Sequence, residues 1–178
     1  NHEGHPIGSL YGYEAIGYFQ TADEVANSPK QFGAVAPGDI KYKDQNGDGI
    51  INANDQVYLG RWQAPFSGGI QMRVGYKNWT LFALGEGRLG ATGFTENDYF
   101  RVDGNKKYSE VVLGSWTPET HETATYPRLS SQTSSSNFNR SDYWQFSQNY
   151  FQLRKVQLSY NVAPQLSKKL KMTGMDVF

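Results

Sequence analysis

The feature that most limits how this chain can fold is the alternation running from Phe66 to Gly87. Ile70, Met72, Val74 and Tyr76 fall on one side of an extended segment, and Gln71, Arg73 and Gly75 on the other. Successive side chains of a strand point to opposite sides, so a period of two marks a strand with two unlike faces. Lys77-Asn78 makes a two-residue turn, and Trp79, Leu81, Ala83 and Gly85 carry the pattern onward. In such a hairpin Tyr76 and Trp79 pair directly and share a face. One apolar sheet face therefore ends, at its turn, in two aromatic rings. Phe82 and Leu84 depart from the pattern, because they stand on the nominally polar side.

A second alternating segment covers Tyr150 to Val162. Val156, Leu158, Tyr160 and Val162 share a parity, whereas Phe151 and Leu153 have the opposite one. One extra residue near Arg154-Lys155 would reconcile them, which predicts a β-bulge there. Pro164 ends the segment. Pro164–Lys171 reads as one helical turn, with Leu166 and Leu170 at i,i+4 and three lysines, and Met172–Phe178 begins another strand. Near the start, glycines interrupt Asn1–Gln20 and predict an irregular extended segment. Thr21-Ala22-Asp23-Glu24 has the form of a capping box and predicts a short helix over about Ala22–Asn27, stopped before Pro29. Pro37-Gly38 marks a turn.

Between the two alternating segments lies the long polar stretch Arg88–Asn149. It includes a serine-rich tract from Ser130 to Asn137 and many dispersed aromatics, among them Phe94, Trp116, Tyr126, Phe138, Tyr143 and Trp144. Most of these rings are expected to form the internal core of a folded loop. A sugar or a partner protein is the other use for such rings.

Composition agrees with β structure carrying long polar loops. Apolar residues make up only 38% of the 178, while aromatics reach 15% and glycine 19 residues. Seventeen basic residues balance seventeen acidic ones, so the basic excess of a nucleic-acid binder is missing. No apolar run is long enough for a membrane-spanning helix, but barrel strands need only short alternating patterns. The absence of cysteine excludes a disulfide framework, a thiolate zinc site and a cysteine nucleophile. We count roughly four to six strands, and a closed membrane barrel needs at least about eight. If this is barrel sequence, the 178 residues are a fragment.

The most specific chemical pattern is Asp44 to Asp55. Asp44, Asn46, Asp48, Asn52 and Asp55 place oxygen side chains at positions 1, 3, 5, 9 and 12 of an EF-hand-type loop. Gly49 stands at position 6, where the chain must turn sharply, and Ile50 offers its backbone carbonyl at position 7. Such spacing wraps hard oxygens around one point and suits Ca²⁺. Ile51 at position 8 is expected to pack inward. Asp55 replaces the usual Glu, as is typical of dockerin-like loops. The flanks Lys41–Lys43 and Val57–Leu59 read as strands, not long helices. Three carboxylates and two amides point to an affinity on the order of 10⁻⁴–10⁻³ M and a structural role. The competing reading is a turn rich in Gly, Asn and Asp that binds nothing.

Other chemistry is weaker. His2, His5 and His121 are far apart in sequence. The serine tract has no Gly-x-Ser-x-Gly elbow, and no phosphate-binding glycine motif occurs. Glu14, Glu86, Asp98 and Glu110 could supply a glycosidase pair, but nothing in the sequence brings two of them together.

Several motifs in order resemble one family. Gly8-Ser9-Leu10-Tyr11-Gly12-Tyr13, Gly17-Tyr18-Phe19-Gln20, Pro37-Gly38-Asp39-Ile40-Lys41-Tyr42-Lys43-Asp44 and Asn46-Gly47-Asp48-Gly49 are similar to the C-terminal part of SusC/RagA-type TonB-linked outer-membrane proteins. Gly60, Pro65-Phe66, Tyr76-Lys77-Asn78 and the segment Tyr150–Asn161 continue the likeness, which is weakest over Arg88–Asn149. The resemblance implies an all-β chain of antiparallel strands from a large, 22-stranded transmembrane barrel of Bacteroidetes. It implies a transporter rather than an enzyme. It also implies TonB acting through an absent N-terminal part, a SusD-like surface lipoprotein as lid, oligosaccharides or peptides as cargo, outer-membrane lipid around the barrel, and no nucleic acid. On that reading residues 1–178 are one C-terminal barrel portion. Residues 39–60 form an extracellular calcium-type loop, 66–87 a hairpin with a periplasmic turn, 88–149 a long extracellular loop, and 150–178 late barrel strands. The rival expectation is a secreted soluble β-domain with a dockerin-like loop, serving as a carbohydrate-binding or adhesion module.

Overall fold

Alternation of apolar and polar residues organises the second half of the molecule into a sheet. The computed structural model describes residues 4–95, 109–130, 136–162, 164–169, 171 and 176–178. In chain order the strands are β1 Ser9–Gly12, β2 Ala15–Tyr18, β3 Ile40–Tyr42, β4 Val57–Arg61, β5 Phe66–Tyr76, β6 Trp79–Leu89, β7 Thr92–Phe94, β8 Gln145–Ser147, β9 Tyr150–Asn161 and β10 Asp176–Val177. The helices are α1 Ala22–Ala26 and α2 Pro164–Lys169. All strand pairings between these elements are antiparallel. No described helix is long and apolar enough to cross a membrane.

The chain divides into two units. One consists of Asn1–Trp62 with Thr92–Ser147, the other of Gln63–Ala91 with Gln148–Phe178. The second unit is a four-stranded sheet in the order β10-β9-β6-β5. Its hairpin has the expected register, with Tyr76 opposite Trp79 across Lys77-Asn78. Lys77 takes a positive φ of 53° to close the turn. The hairpin runs two residues further than the sequence indicated, to Leu89 opposite Phe66. The expected bulge is present: β9 pairs Lys155 with Leu84 but Leu153 with Gly85, leaving Arg154 as the extra residue. Phe151 and Leu153 thereby join Val156, Leu158 and Tyr160 on one face. Short connections, Lys77-Asn78 and the α2 segment, lie at one end of this sheet. The chain leaves the other end at Phe66, Leu89 and Tyr150.

The first unit has a core of Tyr13, Ile40, Tyr42, Ile51, Tyr126 and Trp144. Most of these residues are aromatic, and the unit draws them from both of its segments. Trp144 meets Tyr126 edge-on at 5.9 Å and stacks on Phe138 at 5.6 Å. The stretch read as a long loop is thus half of a packed unit from Thr92 to Ser147, and its described rings are largely internal, as expected. The further aromatic residues of this stretch, Tyr99, Phe100 and Tyr108, lie outside the described residues, as do Ser131–Ser135, Leu170 and Met172–Met175.

Two side chains complete strand β3. Gln31 Nε2 donates to the Ile40 carbonyl at 2.9 Å, and Gln31 Oε1 accepts from Tyr42 N at 2.7 Å. Asn137 Oδ1 accepts from Ile40 N at 2.7 Å. Asn137 Nδ2 donates to buried Asp39 at 2.8 Å, and its carbonyl accepts from Trp144 Nε1 at 2.7 Å. Arg128 Nε stands 2.7 Å from Asp39 Oδ1. This network satisfies polar groups that would otherwise be costly to bury. The short helix starts as predicted, with Thr21 Oγ1 accepting from Glu24 N at 3.1 Å. Glu24 reaches back to Gln20 N at 2.7 Å, one residue earlier than a standard capping box requires.

Candidate functional site

Two features carry the candidate chemistry: the acidic loop of the first unit and the apolar face of the sheet. The loop is fixed from below by its apolar residue. Ile51 is buried, and its N–H donates to the Lys30 carbonyl at 2.9 Å while Lys30 N–H donates to Gly49 O at 2.9 Å. The flanks are strands β3 and β4, as expected.

Asp44 accepts from Gly47 N at 2.7 Å and Gly49 N at 2.8 Å. Asp48 accepts from Ile50 N at 2.9 Å through one oxygen and from Asn46 Nδ2 at 2.9 Å through the other. Asn46 Oδ1 in turn accepts from Asp48 N at 3.0 Å. Asp55 is fully buried, accepting from Gln45 N at 2.9 Å and Asn52 N at 2.7 Å. The N–H of Asn52, with that of Gln45, holds the Asp55 carboxyl below the usual carboxylate range against the opposing effect of burial. Asn52 Oδ1 accepts from Asn54 N at 2.8 Å, and Asn52 Nδ2 donates to the Ile50 carbonyl at 3.2 Å. Asn52 and Asp55 thus form a reciprocal cap on the 3₁₀ turn Ala53–Asp55. The Asn-x-x-Asp spacing is the signal that foretells this cap.

The loop's two ends meet through Asp55 and Gln45, next to Asp44. Among the described residues no three acidic or histidine side chains converge as a ready metal cluster. Each carboxylate oxygen of Asp44 and Asp48 accepts an N–H and has acceptor capacity for a further contact. The donor set is all oxygen, which suits a hard cation.

Other sequence candidates do not assemble. Glu14 lies beside Lys43 and Gln45, whose hydrogen bonds, Gln45 first, lower its pKa. Glu86 pairs with Arg154. His121 contacts the Pro118 carbonyl at 2.9 Å, and His5 packs on Tyr58 at 5.0 Å. His2 and Asp98 lie outside the described residues.

The sheet's two faces are chemically unlike. One carries Phe66, Ile70, Met72, Val74 and Tyr76 from β5, Trp79, Leu81 and Leu89 from β6, and Phe151, Leu153, Val156 and Leu158 from β9. All of these are exposed, Ile70 at 65% and Phe151 at 69%. Cross-strand rows make the face continuous: Met72–Ala83–Val156, Val74–Leu81–Leu158 and Tyr76–Trp79–Tyr160. Phe151 covers Gly85, where an added Cβ would lie 2.5 Å from its ring. The opposite face carries Gln71, Arg73, Gln152, Lys155, Gln157 and Ser159. Phe82, out of pattern in the sequence, lies there between two cations, with Arg73 and Lys155 each 5.7 Å from its ring centre. A strand of eleven residues spans roughly 35 Å and, tilted by about 45°, covers about 25 Å, the height of an outer-membrane apolar band.

Comparison with known proteins gives the same direction. No family model matches the chain. A TonB-dependent receptor of Formosa agariphila is 28% identical over 162 residues, covering 89% of this chain. The chain is similar to a stretch of TonB-dependent receptors. A second receptor of this kind from the same organism is 27% identical across 94% of the chain, and a third is 25% identical across 65%. The chain spans 16%, 20% and 12% of the lengths of these TonB-dependent receptors.

Proposed function

We propose that this chain is part of a TonB-dependent importer of the bacterial outer membrane. The second unit supplies wall strands and the first a folded loop region. The observation that carries this reading is the continuous apolar face of β5, β6 and β9, exposed along its whole length opposite a polar face. That pattern, apolar outward and polar inward, is the one a transmembrane barrel requires. The likeness to TonB-dependent receptors supports it. The rival, a soluble carbohydrate-binding or adhesion module, would leave this face in water, contrary to what soluble surfaces tolerate.

The finer reading is a SusC/RagA-type importer of oligosaccharides or peptides, lidded by a SusD-like lipoprotein and energised by TonB. Its function is transport, not catalysis. Residues 39–60 and most of 88–149 lie outside the cell, and Lys77-Asn78 and the α2 segment face the periplasm. In this reading Asp44, Asn46, Asp48, Asn52, Asp55 and the Ile50 carbonyl hold a structural Ca²⁺ that stiffens the outer region.

Cysteine scanning tests the reading, and these 178 residues add no cysteine of their own to the background. In the intact protein within native membranes, Val74→Cys and Leu158→Cys should resist a water-soluble maleimide. Gln71→Cys and Gln157→Cys should label once the lumen is open to the reagent. Rapid labelling of Val74→Cys and Leu158→Cys overturns the importer reading.

A further inference from the structure

Zero net charge conceals a strong separation. Residues 63–91 and 148–178 contain eight lysines and arginines against two carboxylates, Glu86 and Asp176. Residues 1–62 and 92–147 contain nine against fifteen. The sheet unit is therefore cationic and the loop unit anionic, by six charges each.

Half of the sheet unit's cations belong to the connections at one end. Lys77 is in the β5–β6 turn, Lys168 and Lys169 are in α2, and Lys171 follows α2. The structure ties these connections to one place. Asn161 N donates to the Asn78 carbonyl at 2.8 Å, joining the end of β9 to the turn. The α2 segment then returns the chain to β10, which pairs Asp176 with Asn161. Lys77, Lys169 and Lys171 are exposed, and none has a carboxylate partner among the described residues. The carboxylate of Asp176 at this end accepts from Asn161 Nδ2 at 2.9 Å.

The same end carries the aromatic border of the apolar face. Trp79 lies 4.7 Å from Tyr160 between ring centres, and Lys77 Nζ stands 5.3 Å from the centre of Tyr76. Amphipathic rings beside lysine are the residues that sit well at a bilayer's interface, with the apolar stem inward and the charge at headgroup level.

We propose that this lysine collar, continuous with the apolar face, binds the anionic headgroup of a phospholipid. The inference rests on the importer reading, since the apolar face must lie in a bilayer for the collar to meet headgroups. Lysines offer point charges and rotatable donors to a phosphate and its neighbours. Each near a charged membrane surface strengthens binding by roughly fivefold.

The test uses the intact protein that contains this chain, extracted in detergent. It is titrated with phosphatidylglycerol or phosphatidylethanolamine, and bound lipid is counted by native mass spectrometry. The parent should retain phosphatidylglycerol at least tenfold more tightly, with the preference falling in high salt. Combined Lys77→Gln, Lys169→Gln and Lys171→Gln should remove most of it, and the matching arginine variant should keep it. Heat-shifted migration on a gel confirms that each variant is folded. Equal uptake of the two lipids by a folded outer-membrane barrel overturns the collar alone. So does a preference that survives in the glutamine variant, which would point the lysines to an acidic protein instead. Recovery of the intact parent as a soluble protein without detergent overturns the collar and the importer reading together.

Discussion

At the scale of single residues, Asp55 holds both ends of the acidic loop. Its carboxyl is held below the usual carboxylate range chiefly by the Asn52 N–H. A lowered native pKa contributes stability that is complete above the unfolded value of about 3.9 and is lost as pH falls through the native one. Loop protection measured by hydrogen exchange should therefore be steady at neutral pH and fade in acid. Asp55→Asn should flatten that acid dependence and weaken the cap by about 1 kcal/mol. Asp44→Ala with Asp48→Ala should leave the sheet intact yet expose the loop to protease, and Ca²⁺ should protect the parent but not the variant. Equal protease resistance of parent and variant, with and without chelator, removes the calcium role. Gly38 takes a φ of +88°, and an added Cβ would stand 2.5 Å from Trp116 and 2.8 Å from Arg128. Gly38→Ala should cost about 2–4 kcal/mol, read as earlier thermal exposure of the loop unit to protease.

At the scale of elements, local patterns were legible and long-range polar substitutions were not. The Tyr76–Trp79 pairing, the Arg154 bulge and the Thr21 cap each follow from spacing within a dozen residues. The roles of Gln31 and Asn137 do not, since their amides replace strand partners for β3 and Asn137 comes from 97 positions away. Asp55 occupies position 12 of the loop, which is why the sequence marks it as a metal ligand. Its part as a cap depends on a 3₁₀ turn that the dockerin-like reading did not include. The bulge itself can be tested. Deleting Arg154 would put Phe151, Leu153, Val156 and Leu158 at one parity, so an unbulged β9 would present the same apolar face. That deletion and Arg154→Ala should both retain heat-shifted migration of the intact protein, whereas deleting Arg154 and Lys155 together, which turns Val156 and Leu158 away from the face of Phe151 and Leu153, should abolish it. Val74→Arg, near the middle of the apolar face, should destabilise the assembled protein by about 2–4 kcal/mol, seen as a lower urea midpoint in lipid. Gln157→Arg on the polar face should have a much smaller effect.

At the scale of the whole molecule, the loop unit is built from two stretches that the β5–β6 hairpin separates in sequence. Tyr13, Ile40, Tyr42 and Ile51 come from the first stretch, and Tyr126 and Trp144 from the second. A ribosome emits the intervening residues over a period on the order of ten seconds. For that interval half of an aromatic core has no counterpart. The nascent chain thus carries a built-in delay during which a holding chaperone has something to grip, and its release can coincide with arrival of Tyr126 and Trp144. Transplanting only one stretch onto another scaffold would carry the stickiness without its remedy.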